Sequence, residues 1–176
     1  MISIRNAKYA KQGLKDLIEY IQIFRDTARM TMVEIGSYVG DSAEIFADYF
    51  KTVYCVDPWQ NDYDINDAAS WQHNMKVVEE QFDELVERKP NIIKMKMTSQ
   101  QACIQIERAD FVYIDGLHTF TGVSEDINIW TTKLKPFDFI GGHDYGNKHH
   151  PGVKPAVDAF YIPDKTFRDT SWVRQL

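Results

Sequence analysis

The run Met32-Val33-Glu34-Ile35-Gly36-Ser37-Tyr38-Val39-Gly40-Asp41-Ser42, followed by Thr52-Val53-Tyr54-Cys55-Val56-Asp57, decides the reading of this chain. An apolar stretch ends in Glu-x-Gly, a second glycine follows four residues on, and a second apolar stretch closes on Asp. Dinucleotide folds place such a turn under their cofactor, with an acid about 20 residues downstream for the ribose hydroxyls. Asp57 lies 21 residues after Gly36. Gly-x-Gly-x-x-Gly is absent, because Tyr38 fills the slot where a pyrophosphate needs bare backbone. The turn therefore fits an adenosine-type ligand with no bridging pyrophosphate.

Working outward, strand and helix signals alternate. Lys11 to Phe24 reads as an amphipathic helix, with Leu14, Leu17, Ile18, Ile21 and Phe24 on one stripe. Met32 to Ile35 is a strand, and Asp41 to Glu44 resembles a capping box opening a helix through Phe50. A strand at Val53 to Val56 leads into a polar loop, Pro58 to Ser70. A helix carrying Trp71, Met75, Val78, Phe82 and Leu85 follows and stops before Pro90. Strands at Ile92 to Met97, Phe111 to Ile114 and Phe137 to Ile140 alternate with helices at Gln100 to Ile106 and Val123 to Leu134. A helix at Val153 to Tyr161 and an extended tail, Thr166 to Leu176, read as an antiparallel edge, close the chain. Repeated βα units predict an α/β, Rossmann-like single domain with a mostly parallel central sheet and helices on both faces. Residues 1–28 form an N-terminal helical segment and residues 29–176 the ligand-binding domain. Glu34, Asp57, Asp115 and Asp144 all fall at carboxyl ends of strands, where such sheets bind ligands.

Bulk properties exclude other classes. The 176 residues suit one domain, and no apolar run approaches the roughly 18 residues of a membrane helix. A net charge of −6 argues against general nucleic-acid binding, which needs a basic face. Cys55 and Cys103 form no metal or redox motif and read as buried thiols; with no signal-peptide pattern at the N-terminus, a cytoplasmic setting is expected. Oligomeric state is not legible, and a homo-oligomer is compatible with the sequence.

The chain resembles the class I S-adenosylmethionine-dependent methyltransferases, closest to their catechol-type and macrocin-type O-methyltransferases. Glu34 to Ser42 is similar to their Glu-Leu-Gly-x-Tyr-x-Gly-x-Ser motif, and Thr98-Ser99-Gln100 to their Ser-Gln turn. Asp115-Gly116-Leu117-His118 resembles Asp-Gly-x-His after the fourth strand. Gly142-His143-Asp144-Tyr145 resembles the metal-side motif after the fifth, and Pro151 to Val157 the segment beyond it. The match covers residues 31 to about 160, with the motifs in order at the right elements.

The resemblance implies S-adenosylmethionine as cofactor. Glu34 faces its methionine amine, Gly36, Ser37 and Gly40 form the turn, and Tyr38 packs on the ligand. Ser42 and the helix N-terminus receive its carboxylate. Asp57 accepts from both ribose hydroxyls; Trp59 flanks the adenine or is a core residue; Ser99 and Gln100 bond the adenine edge or cap their helix. Asp115, His143 and Asp144 offer an N/O set for a divalent cation, Mg²⁺ or Mn²⁺ foremost. The catechol type has Asp in place of His143 and Asn in place of Asp144; without a cation, the two side chains cap a strand end and start a turn. His118 stands where that type carries a lysine base, and so is expected as general base beside Asp115. His149 and His150 read as solvated, and His73 as exposed. The expected reaction is O-methylation of a small-molecule hydroxyl on a sugar or catechol-like acceptor. Two alternatives stand beside it. One is a non-catalytic binder of S-adenosylmethionine or a nucleoside. The other, a nicotinamide-dependent oxidoreductase, is opposed by Tyr38 and the absence of a Tyr-x-x-x-Lys pair.

Overall fold

The computed structural model describes residue 2 and residues 8–64 and 68–176. Residues 65–67 of the expected loop and most of the first seven residues of the N-terminal segment lie outside the described residues. The elements run α1 (Lys8–Gln22), β1 (Thr31–Ile35), α2 (Asp41–Tyr49), β2 (Thr52–Asp57), α3 (Ala68–Gln72), α4 (Met75–Arg88) and β3 (Ile92–Lys96). There follow α5 (Ser99–Gln105), β4 (Phe111–Ile114), α6 (Phe120–Thr131), β5 (Phe139–Gly142), α7 (Val153–Phe160), β6 (Lys165–Thr166) and β7 (Trp172–Gln175).

The seven strands form one sheet in the order β3-β2-β1-β4-β5-β7-β6. β1 to β5 pair in parallel, and β7 runs antiparallel to both β5 and β6. The chain winds outward from β1 through β2 to β3, then returns to β4 on the other side of β1. That reversal puts the ligand crevice beyond the carboxyl ends of β1 and β4. Successive strand residues point to opposite faces, which splits the core in two. Met32, Val53, Phe111 and Phe139 pack with α1, α2 and α4. Val33, Val56, Val112 and Ile140 pack with α5, α6 and α7.

Five expectations are corrected. The helix expected from Trp71 onward is two helices, because Asn74 accepts from the Lys76 N–H at 3.0 Å and starts a new one. No capping box opens α2: its N-cap is Gly40, at φ 92°, which brings no side chain. α5 begins earlier than expected, on a box made by Thr98 and Gln101. α6 begins at Phe120, capped by Thr119, three residues before the first apolar stripe residue. The tail is not simply an edge: β7 is inserted between β5 and β6, and β6 forms the border.

Candidate active site

A cleft with about 720 Å³ of open space lies at the topological reversal, walled by Gly36, Tyr38, Asp57, Met97, Ser99 and Asp115 among others. Its floor depends on Gly36. That residue has φ +87°, and a Cβ there would sit 2.1 Å from the Asp115 carbonyl oxygen. Only glycine lets the ends of β1 and β4 approach this closely.

Asp57 organises the adjoining wall. Its Oδ2 accepts from the Tyr38 N–H at 3.0 Å and its Oδ1 from the Trp59 N–H at 2.7 Å. Both donors belong to residues at positive φ, 49° and 43°. Burial raises the carboxyl's pKa, while the N–H groups of Tyr38, Trp59 and Ser37 pull it back. Asp57 lines the cleft. Trp59 does not wall the cleft. It is 4% exposed, packs on Phe82 at 4.8 Å and donates to the Tyr38 carbonyl at 2.8 Å. The core alternative is the one observed, and Trp59 supports the turn from behind. His73 is not simply exposed either, since its Nδ1 lies 2.7 Å from the Tyr38 hydroxyl.

Glu34, Ser37 and Ser42 are buried beside the turn. Glu34 accepts from the Ser37 hydroxyl at 2.7 Å. Ser42 sits in the first turn of α2 and Gly40 at its N-cap. The Glu34–Ser37 pair also borders Cys55, whose thiol is pushed well up by burial first and the Glu34 charge second.

At the far end, Ser99 and Gln100 line the cleft from the first turn of α5. The Ser99 hydroxyl is engaged: it donates to Asp126 and accepts from Trp130 Nε1 at 2.8 Å. Its only hydroxyl proton therefore goes to a carboxylate rather than into the cleft. Asp126 was missed by sequence reasoning. It occupies position 126 in the stripe Val123, Ile127 and Trp130 of α6, an acid on an otherwise apolar helical face.

Beside the cleft, the ends of β4 and β5 bring the expected metal residues together. Ligand atoms of Asp115, His143 and Asp144 all lie within 4.8 Å of one another, as do those of His118, Asp144 and His150. Asp144 Oδ2 is 3.2 Å from His143 Nδ1 and 3.1 Å from His118 Nε2. His118 further neighbours Asp115 at 3.6 Å and Asp64 at 3.7 Å. Burial alone presses the imidazole's pKa down; the carboxylates of Asp115, Asp144 and Asp64 outweigh it and push it up to about 12. Asp144 is held well below the carboxylate range: burial opposes this, and His118 and His143 prevail. The three carboxylates therefore favour the protonated form of His118 in this arrangement. His150 is also corrected: its ring lies 4.0 Å from that of His118, whereas His149 is exposed. Asp64 reaches the cluster from the loop after β2, where no sequence pattern marked it.

The sequence profile of the family described as "methyltransferase domain" matches residues 33–145, well over half of the chain. The chain belongs to that family and is an S-adenosylmethionine-dependent methyltransferase. No curated protein matches it. Among solved structures it is similar to CalS11, a calicheamicin methyltransferase, with 12% identity and a TM-score of 0.67; the match covers 96% of this chain and 80% of that one. It is similar to the O-methyltransferase NovP at 17% identity, TM-score 0.63, over 99% and 80% of the two chains. Fibrillarin of Aeropyrum pernix with natively bound S-adenosyl-L-methionine aligns at 9% identity, TM-score 0.59, over 94% and 74%. Identities this low show a shared fold alone. Among the described residues, no helix is long and apolar enough to cross a membrane.

Proposed function

We propose that the chain methylates a hydroxyl of a small molecule carrying a neighbouring oxygen, such as a sugar diol or a catechol, with a divalent cation at Asp115, His143 and Asp144. One observation carries this reading: three cation-competent side chains cluster at the ends of β4 and β5, and one of them, Asp115, also walls the cofactor cleft. Two carboxylates and an imidazole suit Mn²⁺ and admit Mg²⁺. Oxygen as the acceptor atom is carried over to this chain by analogy with its fold neighbour, the O-methyltransferase NovP.

When bound, the cation lowers the pKa of the acceptor hydroxyl and adds positive charge near the reaction. The chain's own residues do the rest. Asp57 and the Gly36 turn hold the nucleoside, so that the sulfonium methyl lies beyond β4. The acceptor oxygen attacks that methyl, an O–C bond forms as the C–S bond breaks, and S-adenosylhomocysteine leaves. In its neutral form, reached by releasing its own proton to solvent, His118 would accept the hydroxyl proton, while Asp115, His143 and Asp144 would hold the cation. The test is transfer of isotope-labelled methyl from S-adenosylmethionine to a panel of catechols and sugar diols, with chelator or with Mn²⁺. The reading expects Mn²⁺-dependent transfer that Asp115→Ala and His118→Ala abolish. Full turnover in both variants would sink it.

A further inference from the structure

We propose that His118, Asp144 and His150 form a second cation position, which takes a nitrogen-preferring dication such as Zn²⁺ and, when filled, disables the position at Asp115, His143 and Asp144. The ligand atoms of His118, Asp144 and His150 lie within 4.8 Å of one another. Asp144 is buried and both imidazoles are partly buried.

One short loop supplies two of the three ligands, and Asn147 knits it together. The Asn147 N–H donates to the Asp144 carbonyl at 3.1 Å, and its own carbonyl accepts from the His150 N–H at 3.1 Å. Its side-chain amide donates to Asp144 Oδ1 at 2.6 Å. That bond commits Oδ1 to the loop. Oδ2 is the oxygen that faces the imidazoles, 3.1 Å from His118 Nε2 and 3.2 Å from His143 Nδ1. Gly152 seats the loop against the segment that carries His118, since a Cβ there would stand 2.8 Å from the His118 carbonyl oxygen. The His118 and His150 rings accordingly stack, with centroids 4.0 Å apart and planes inclined at 31°.

The two positions differ in chemistry and share an atom. The first offers two carboxylates and one imidazole, the second two imidazoles and one carboxylate. Imidazole nitrogen suits Zn²⁺, which is satisfied by three protein ligands and one open place, whereas carboxylate oxygen suits Mg²⁺ and Mn²⁺. Both positions draw on Asp144 Oδ2. Two dications on one oxygen repel each other at close range. The carboxylate cannot spread them over its two oxygens without giving up the Asn147 bond. Occupation of one position therefore excludes the other. Zinc at the second withdraws Asp144 from the first cation and His118 from the acceptor's proton.

The exclusion rests on the proposed cation at Asp115, His143 and Asp144, and the test separates the two. The intact, metal-stripped chain is titrated calorimetrically with Zn²⁺ and with Mn²⁺, each alone and each into protein saturated with the other. Zn²⁺ is expected to bind more tightly than Mn²⁺ and to abolish Mn²⁺ binding. His150→Ala should weaken Zn²⁺ by about 100-fold or more, beyond what loss of an outer residue costs, and Mn²⁺ by less than about tenfold. His143→Ala should do the reverse. An unchanged affinity for S-adenosylmethionine shows that both variants are folded. Absence of saturable Zn²⁺ binding, equal weakening of the two metals in His150→Ala, or simultaneous binding of Zn²⁺ and Mn²⁺ would each overturn the proposal. If Mn²⁺ alone fails to bind, the proposed function loses its cation, and Zn²⁺ binding lost in His150→Ala but kept in His143→Ala still supports the second position.

Discussion

Asp57→Ala tests how the cofactor turn is held. The carboxylate accepts one N–H on each oxygen, from Tyr38 at 3.0 Å and Trp59 at 2.7 Å. Truncation leaves two backbone donors unmet in a buried site, at about 1–3 kcal/mol each, or roughly 2–6 kcal/mol together. A smaller effect runs the other way. Burial raises the Asp57 pKa, so the wild type bears a cost for holding charge there that the alanine does not. The unmet donors win, because Tyr38 and Trp59 sit at φ 49° and 43° and persist only where their surroundings hold them. Asp57→Asn keeps one acceptor oxygen, loses the buried charge, and should fall between wild type and alanine. Urea denaturation gives the stability change and calorimetry the S-adenosylmethionine affinity. The alanine variant is expected to lose both, the asparagine variant mainly affinity. An alanine variant within about 0.5 kcal/mol of wild type would show that the carboxylate does not hold the turn.

Three further outcomes are expected. Gly36→Ala should lower stability by about 3 kcal/mol or more and remove cofactor binding. It forces a Cβ to 2.1 Å from the Asp115 carbonyl oxygen at φ +87°; a thermal midpoint equal to wild type would refute the close approach. Asp126, raised from 3.8 to about 6, binds its proton more tightly folded than unfolded, so its contribution is fully present below about pH 4 and is lost as pH rises through 6. The stability of wild type relative to Asp126→Asn, without ligand, should fall by about 2 kcal/mol from pH 4 to 7 in denaturant titrations, and a flat difference would contradict the buried acid. His150→Ala should cut Mn²⁺-supported turnover by about 10–100-fold with S-adenosylmethionine affinity unchanged, as loss of a supporting side chain does; equal loss of cofactor affinity would place His150 elsewhere.

The sequence carried the sheet and the cofactor turn because both rest on local signals. Apolar strands ending in acids, and glycines at fixed offsets, needed no distant partner to be read. The cluster at Asp115, His143 and Asp144 was legible through motif order. What escaped depends on three-dimensional proximity. Asp64 arrives from a loop without periodicity, and His150 looked solvated until the fold stacked it on His118. Three carboxylates on three separate segments push the His118 pKa up, a convergence that no spacing rule anticipates. Asp126 did leave a trace, an acid within an apolar helical stripe, and only its position opposite Ser99 gave that trace a meaning. Trp59 shows the converse: two residues after Asp57 it reads equally as a ligand contact or a core residue, and only the fold turned its ring toward Phe82.

A nucleoside cofactor at Asp57 and a divalent cation at Asp115, His143 and Asp144 are proposed to bind side by side, with Asp115 common to both. Calorimetric titration of the metal-stripped chain with Mn²⁺ alone, then with S-adenosylmethionine, tests it most directly. One saturable Mn²⁺ per chain is expected, lost in Asp144→Ala and kept in Asp57→Asn, with cofactor binding surviving in Asp144→Ala. Tight cofactor binding with no saturable Mn²⁺ binding would contradict the metal-assisted mechanism.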